Sequence, residues 1–196
     1  FHHIGEATIS TFDIEQIQNI LVEQMVQVGI FRSLTMAIVD YNNLAVHVVK
    51  TLVRRPEGLV EKSDLTELSY ALDDTNIMAE TARTGEMQVV EGWDERFDTR
   101  IDAPNHDFED KISYFIPVIH NKKICAVLAT ASTRQEKDET LRRIETMQPL
   151  LNLVAIALEQ ARLYEESRKY TDNLAAINIA LGESENRFRG IFNNAA

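Results

Sequence analysis

One cysteine, Cys125, stands in 196 residues. That count excludes an internal disulfide and fits a reducing compartment. It also excludes chemistry that needs an attacking and a resolving thiol in one chain. Positive charge is scarce, with 20 Lys and Arg against 31 Asp and Glu for a net charge of −11. Nucleic acid and anionic membrane reward basic patches, so neither is an expected partner. No apolar run approaches the roughly 18 residues of a membrane span, and no secretory leader is visible, so the expected location is cytoplasmic. There is no Gly-x-Ser-x-Gly, no P-loop and no paired His–Cys arrangement. The acids at Asp73-Asp74 and from Glu91 to Asp98 read as a solvated surface. This stretch of chain is therefore not expected to be an enzyme. Five scattered histidines (His2, His3, His47, His106, His120) include no i, i+4 pair, and there is no Cys-x-x-Cys, so no metal is expected.

What is present is the composition of a packed domain, 44% apolar and 26% charged. "TFDIEQIQNILVEQMVQVG" carries a 3.6-residue apolar period and predicts a helix stopped by Gly29. Leu34–Asp40 and Leu44–Val53, rich in β-branched residues, predict a hairpin across "YNN". A loop over "RRPEGLVEKSD" follows, then a short strand in "TELSYAL". "DDTNIMAETARTGE" predicts a capped helix ending at Gly85, and "MQVVEGW" a short strand. Residues 96–111 are aperiodic. Ile112–Ile119 and Lys123–Ser132 predict a second hairpin, with Pro117 at a bulge or edge because it lacks a ladder donor. Hairpins impose antiparallel neighbours. The predicted fold class is α+β, an antiparallel sheet of about six strands sandwiched with helices.

From about Asp138 the pattern stays helical for some forty-five residues, on the order of 70 Å, with Pro149 expected to kink the helix or mark where its straight part begins. Leu150, Val154, Ala157, Ala161 and Tyr164 step by 4, 3, 4, 3. Tyr170, Leu174, Ile177 and Leu181 continue in such steps through Ser184, Phe188 and Ile191. Each series is a heptad seam, and the two meet out of phase near Ser167. Leu150 to Ala161 reads equally as a helix lying on its own domain. Beyond Tyr164 a partner helix is the better account, and a homodimer through the terminal helices is expected. At Ser184 a new helix is expected, with Phe188, Ile191 and Phe192 on one face.

Three stretches together resemble a GAF domain, over roughly Asp13 to Glu166: "ETARTGEMQVV", "ISYFIPVIHNKKICAVLATAS" and "NLVAIALEQARLYEES". Ala126 stands where that family often has Gly. "SENRFRGIFNNAA" resembles the first helix of a PAS domain. The expected organisation is a linker at 1–12, a GAF-like domain at 13–166, a coiled-coil signalling helix at 167–183 and the start of a PAS domain at 184–196. The resemblance implies a regulatory, small-molecule-sensing module of a signal-transduction protein, in a two-component system with a histidine kinase output. A cyclic-dinucleotide enzyme, a transcription factor and a ligand-free dimerising spacer are the alternatives.

In that family a small ligand lies between the sheet and the segment that here reads "EGWDERFDTRIDAPNHDFEDKISY". Met36, Ile38, Tyr114 and Ile116 are the expected floor, and Trp93, Phe97, Arg100, His106 and Phe108 the expected walls. Trp93, Phe97 and Phe108 read equally as a small core tying down a long loop. Arg100 either binds an anionic group or pairs with Asp98 or Asp102. "NHDFEDK" departs in spacing from a cyclic-nucleotide signature. Cys125 lies inside a strand, which argues against a covalent bilin, and no cofactor is expected.

Overall fold

The computed structural model describes residues 22–27, 29–100 and 108–193. Two compact units divide the chain, Phe1–Glu159 and Gln160–Ala196.

The first unit begins, within the described residues, with helix α1 at 22–27. Strands β1 (Ser33–Asp40) and β2 (Ala45–Arg55) follow as a hairpin. Its turn is built by Asp40, whose Oδ1 accepts from the amides of Asn42 (2.9 Å) and Asn43 (3.2 Å), a short side chain holding its own backbone. The sequence predicts a loop over 54–64, and here the structure differs. β2 runs on to Arg55, Pro56 and Glu57 make the turn, and β3 (Gly58–Glu61) pairs back on β2. Gly58 takes φ +134°, a region that L side chains avoid. The side chains of β3 are mostly exposed, so no apolar alternation marks it in sequence.

β4 (Ser69–Ala71) adds to the other end of β2. Helix α2 (Ile77–Thr84) is capped by Asn76, whose side chain accepts from the Met78 amide, and closed by Gly85 at φ +69°. β5 (Gln88–Glu91), β6 (Lys111–His120) and β7 (Lys123–Thr133) complete a seven-stranded sheet in the order β3-β2-β1-β7-β6-β5, with β4 also on β2. Every pairing is antiparallel. The expected fold class therefore holds, with seven strands where six are expected. Pro117 stands one residue from a bulge at Val118/Ile119 and beyond the reach of β5, whose pairing stops at Phe115. Its missing N–H is tolerated there.

Alternation divides the sheet into two faces. Ala37, Val39, Val46, Val48, Phe115 and Val127 point to one side, in a single buried cluster with α2, Tyr70, Phe97 and Phe108. The opposite parity, Leu34, Met36, Ile112, Tyr114, Ile116 and Leu128, is buried as well. Its cover is the buried stripes of α1 (Val22, Met25, Val26) and of the start of α3 (Ile144, Met147, Leu151, Val154, Leu158). Lys50 of β2 ties down α1 through Glu23 at 3.1 Å, and Arg143 of α3 donates to the Ile30 carbonyl at 3.0 Å.

Helix α3 spans Lys137–Asn193. Pro149 lies inside it, with helical backbone on both sides. Leu150, Val154 and Ala157 are buried within the first unit, as the reading of this stripe as a helix lying on its own domain expects. Ala161 is buried too, while Tyr164 is exposed. Finally, the backbone is helical straight through Ser184, with no new helix start there. The expected linker at 1–12, the early part of the first helix and residues 194–196 lie outside the described residues.

Candidate functional site

On the α2 face of the sheet lies a cavity of about 140 Å³. Its floor is strand residues, all but Thr130 of one parity: Ser33 and Thr35 of β1, Val48 of β2, Lys111, Ser113 and Phe115 of β6, and Ala129, Thr130 and Ala131 of β7. Its walls are Leu65, Tyr70, the N-terminus of α2 (Asn76, Ile77, Met78) and the loop residues Phe97 and Asp98. The parity explains a correction. Met36, Ile38, Tyr114 and Ile116 do share a pleat face, but the other one. Tyr114 is fully buried there, with its hydroxyl 3.0 Å from the Ser132 Oγ. Sequence alternation identifies which residues share a face; it does not say which face a cavity occupies.

The loop before β6 is organised by a repeated Asp-x-Arg. Asp94 accepts from the Arg96 amide at 2.9 Å and from its guanidinium at 2.9 and 2.7 Å. Arg96 also reaches Glu80 of α2 at 2.8 Å, which fastens the loop to the helix. Four residues on, Asp98 accepts from the Arg100 amide at 2.8 Å and from its guanidinium at 2.9 and 2.6 Å. Arg100 thus takes the pairing alternative, and its side chain is largely exposed. Asp98 is nearly buried and also accepts from the Tyr70 hydroxyl at 2.9 Å. The Arg100 guanidinium, ahead of the opposing effect of burial, holds the Asp98 carboxyl below the ordinary carboxylate range. Burial first, then the Asp98 bond, pushes the Tyr70 phenol well above its usual value. At neutral pH the wall therefore presents a phenol O–H bonded to a charged carboxylate.

Trp93, Phe97 and Phe108 meet as an aromatic core over this wall. Trp93 stands edge-on to Phe97 (5.6 Å, 87°) and to Phe108 (5.2 Å, 89°), and Phe97 lies 6.0 Å from Phe115 of the floor. Such edge-to-face geometry adds to burial in fixing the loop. The small-core reading of these residues thus describes their packing, and Phe97 alone of the three also lines the cavity. Lys111 lies over the Phe108 ring at 4.3 Å. His106 lies outside the described residues. Among the described residues no group of three or more His, Cys, Asp and Glu is placed to hold a metal ion. Cys125 is buried in β7, with its Sγ directed at the Lys123 carbonyl.

Sequence reasoning missed Ser33, Thr35, Tyr70, Asn76, Asp98 and Ser113. The Thr35 and Thr51 hydroxyls meet at 3.1 Å across the β1–β2 pair, so Thr35 is already partnered. Ser113 is 6% exposed and lines the cavity. A usable signal was the polar residue set into the apolar run "ISYFIPVI", since a buried hydroxyl needs a partner.

No protein-family model matches the chain, and no curated protein is similar to it in sequence. Solved structures are similar in fold. The GAF domain of the Acinetobacter phosphoenolpyruvate-protein phosphotransferase matches with a TM-score of 0.60 at 14% identity, over 84% of this chain and 94% of that one. The GAF domain/HD domain protein of Geobacter sulfurreducens also gives 0.60, at 10% identity, over 82% and 98%. The free methionine-R-sulfoxide reductase of Neisseria meningitidis, solved with its substrate, gives 0.53 at 10% identity, over 82% and 87%. No helix among the described residues is long and apolar enough to cross a membrane. An antiparallel sheet in this strand order, with α2 and a fastened loop over one face and helices over the other, is the fold of a GAF domain.

Proposed function

We propose that the chain is a regulatory sensory module whose cavity between the sheet, the α2 N-terminus and the Asp94–Arg100 loop holds a small molecule, within a larger signal-transduction protein. One observation carries the reading. Ser113 is nearly buried and sets a hydroxyl into a cavity otherwise walled by Phe97, Phe115 and Val48, the apolar lining with a few polar groups that a small-molecule site requires. About 140 Å³ is the scale of a guest near the size of benzene. The ligand class is a small polar metabolite with one apolar side.

The mechanism follows from how the loop is held. Phe97 and Asp98 are cavity walls, and the same segment is fastened to α2 by Arg96–Glu80 and to β4 by Asp98–Tyr70. A guest that touches Phe97 and Ser113 favours one placement of the loop against the sheet. Preference for one state shifts the population of both. The output leaves through α3, which begins at the end of β7, toward a downstream PAS and histidine kinase part as the resemblance implies. The similarity to a domain of a phosphotransferase and to a GAF/HD protein supports a regulatory setting. A catalytic role like that of the reductase is disfavoured by the single cysteine, which lies buried in a strand.

Thermal denaturation against a panel of small amino acids, hydroxy acids and nucleobases tests the reading. A panel member should raise the midpoint of the wild type and not that of Ser113→Leu, whose side chain fills the cavity. A panel with no effect on either protein favours a ligand-free spacer.

A further inference from the structure

Although the chain carries a net charge of −11, arginines gather at one place on its helix-covered side. The turn after α1 and the first turns of α3 enclose an open cleft of about 310 Å³. Gly29 and Ile30 form one side, and Glu139, Arg142, Arg143 and Met147 the other. The α3 residues recur at three- and four-residue intervals, so one helix face presents them. Arg54 stands at the Gly29 rim, where its Nη1 would lie 2.6 Å from a β-carbon on that glycine. Its strand delivers it there: the Arg54 amide donates to the Arg32 carbonyl at 2.7 Å, just ahead of β1.

The ion pairs of the cleft do not cancel its charge. Glu139 accepts from Arg143 Nε at 3.0 Å and from Arg142 Nη2 at 3.2 Å, so one carboxylate serves two guanidinium groups. Arg143 spends Nη1 on the Ile30 carbonyl at 3.0 Å, a neutral acceptor. Arg54 has no carboxylate partner among the described residues. Three guanidinium groups therefore face one carboxylate, an excess of two positive charges. Arg32 borders a smaller adjoining hollow and is balanced by Glu136 at 2.9 Å. The carbonyls that end α1 do little to repel an anion, because Met25 and Val26 accept from the Ile30 and Gly29 amides, both at 3.1 Å. Beside the charges, half-buried Ile30 and buried Met147 supply an apolar strip.

We infer that this cleft binds the phosphoryl group of a small phosphorylated metabolite. A phosphoryl dianion matches the charge excess, and its oxygens accept from several guanidinium forks at once. A carboxylate brings one charge and two acceptor atoms and leaves part of the excess unmatched. The apolar strip takes the organic part of the molecule. An occupant here ties the turn after α1 to α3, in addition to the Arg143–Ile30 bond. The site lies on the opposite side of the sheet from the α2 cavity and does not depend on the ligand reading of that cavity.

Titration of the whole chain with phenyl phosphate, followed by phosphorus NMR and thermal denaturation at low salt, tests it. Phenyl phosphate should bind saturably and raise the melting midpoint, with an affinity that falls as sodium chloride is added. Benzoate, with the same ring and a single charge, should bind at least about tenfold more weakly. Arg54→Gln and Arg142→Gln should each weaken phenyl phosphate on the order of tenfold. Lys122→Gln, in the β6–β7 turn at the far end of the sheet, and Ser113→Leu, in the other cavity, should each leave it within about twofold. No saturable binding, benzoate equal to phenyl phosphate, or a loss in the two control variants as large as in the arginine variants would each overturn the proposal. A phosphoserine peptide that binds more tightly than phenyl phosphate would overturn it in favour of a protein partner.

Discussion

At Asp98 three separate demands meet in one side chain. It is nearly buried, charged, and bonded to both Tyr70 and Arg100. Removing its charge leaves the Tyr70 hydroxyl and the Arg100 fork short of an acceptor. Asp98→Asn should therefore cost about 1–3 kcal/mol in urea unfolding. Its folded-state value lies below the unfolded one, so its stabilisation is complete above the ordinary carboxylate range. That part is lost as pH falls through the lowered value. The wild type should lose stability on that acid limb, and Asp98→Asn should lose less over the same limb. Equal acid slopes in the two proteins would remove Asp98 from its assigned role. Nothing in the sequence marked Asp98 over its neighbours except the repeated Asp-x-Arg of "DERFDTR", and that pattern was hidden inside an acidic run read as solvated surface.

For single elements the contrast to test is between neighbouring residues of α3. Leu151 is 1% exposed and Leu153 is 39% exposed, two residues apart on one helix. Leu151→Ala should cost about 2–5 kcal/mol by chemical denaturation, the ordinary result of emptying a core position. Leu153→Ala should cost less than about 1 kcal/mol in the monomeric state. Reversed magnitudes would mean that the helix is rotated on its sheet. Helix α2 offers a second check at its closing residue. Gly85 holds φ +69° close to Ile119 and Ile124. Gly85→Ala should destabilise by about 1 kcal/mol or more, because a Cβ disfavours that backbone. The sequence made most elements legible because their apolar periods were strong: both long hairpins, α2 with its Asn76 cap and Gly85 stop, and α3. It missed β3 because an exposed edge strand has no apolar face to alternate. On α3 it left open which stripe serves the domain, because that helix carries two interleaved apolar stripes. Only burial distinguishes the stripe that serves the domain from the stripe left bare.

Over the whole molecule, the fold was more legible than the site for a physical reason. A sheet's pairing follows from alternation and turn chemistry, both local in sequence. A cavity is set by which face the covering helix takes and by how a loop closes over that face, and neither is local. Met36, Ile38, Tyr114 and Ile116 were grouped on one face and assigned to the wrong layer for that reason, whereas Phe97 was placed because a loop aromatic before β6 has little choice but to cap the sheet. The account rests on the cavity being a ligand site. Native mass spectrometry of the protein as purified from cells examines this most directly, with wild type and Ser113→Leu side by side. Wild type should carry a non-covalent small-molecule adduct that Ser113→Leu lacks, and bare wild type, or the same adduct on both proteins, would contradict the account.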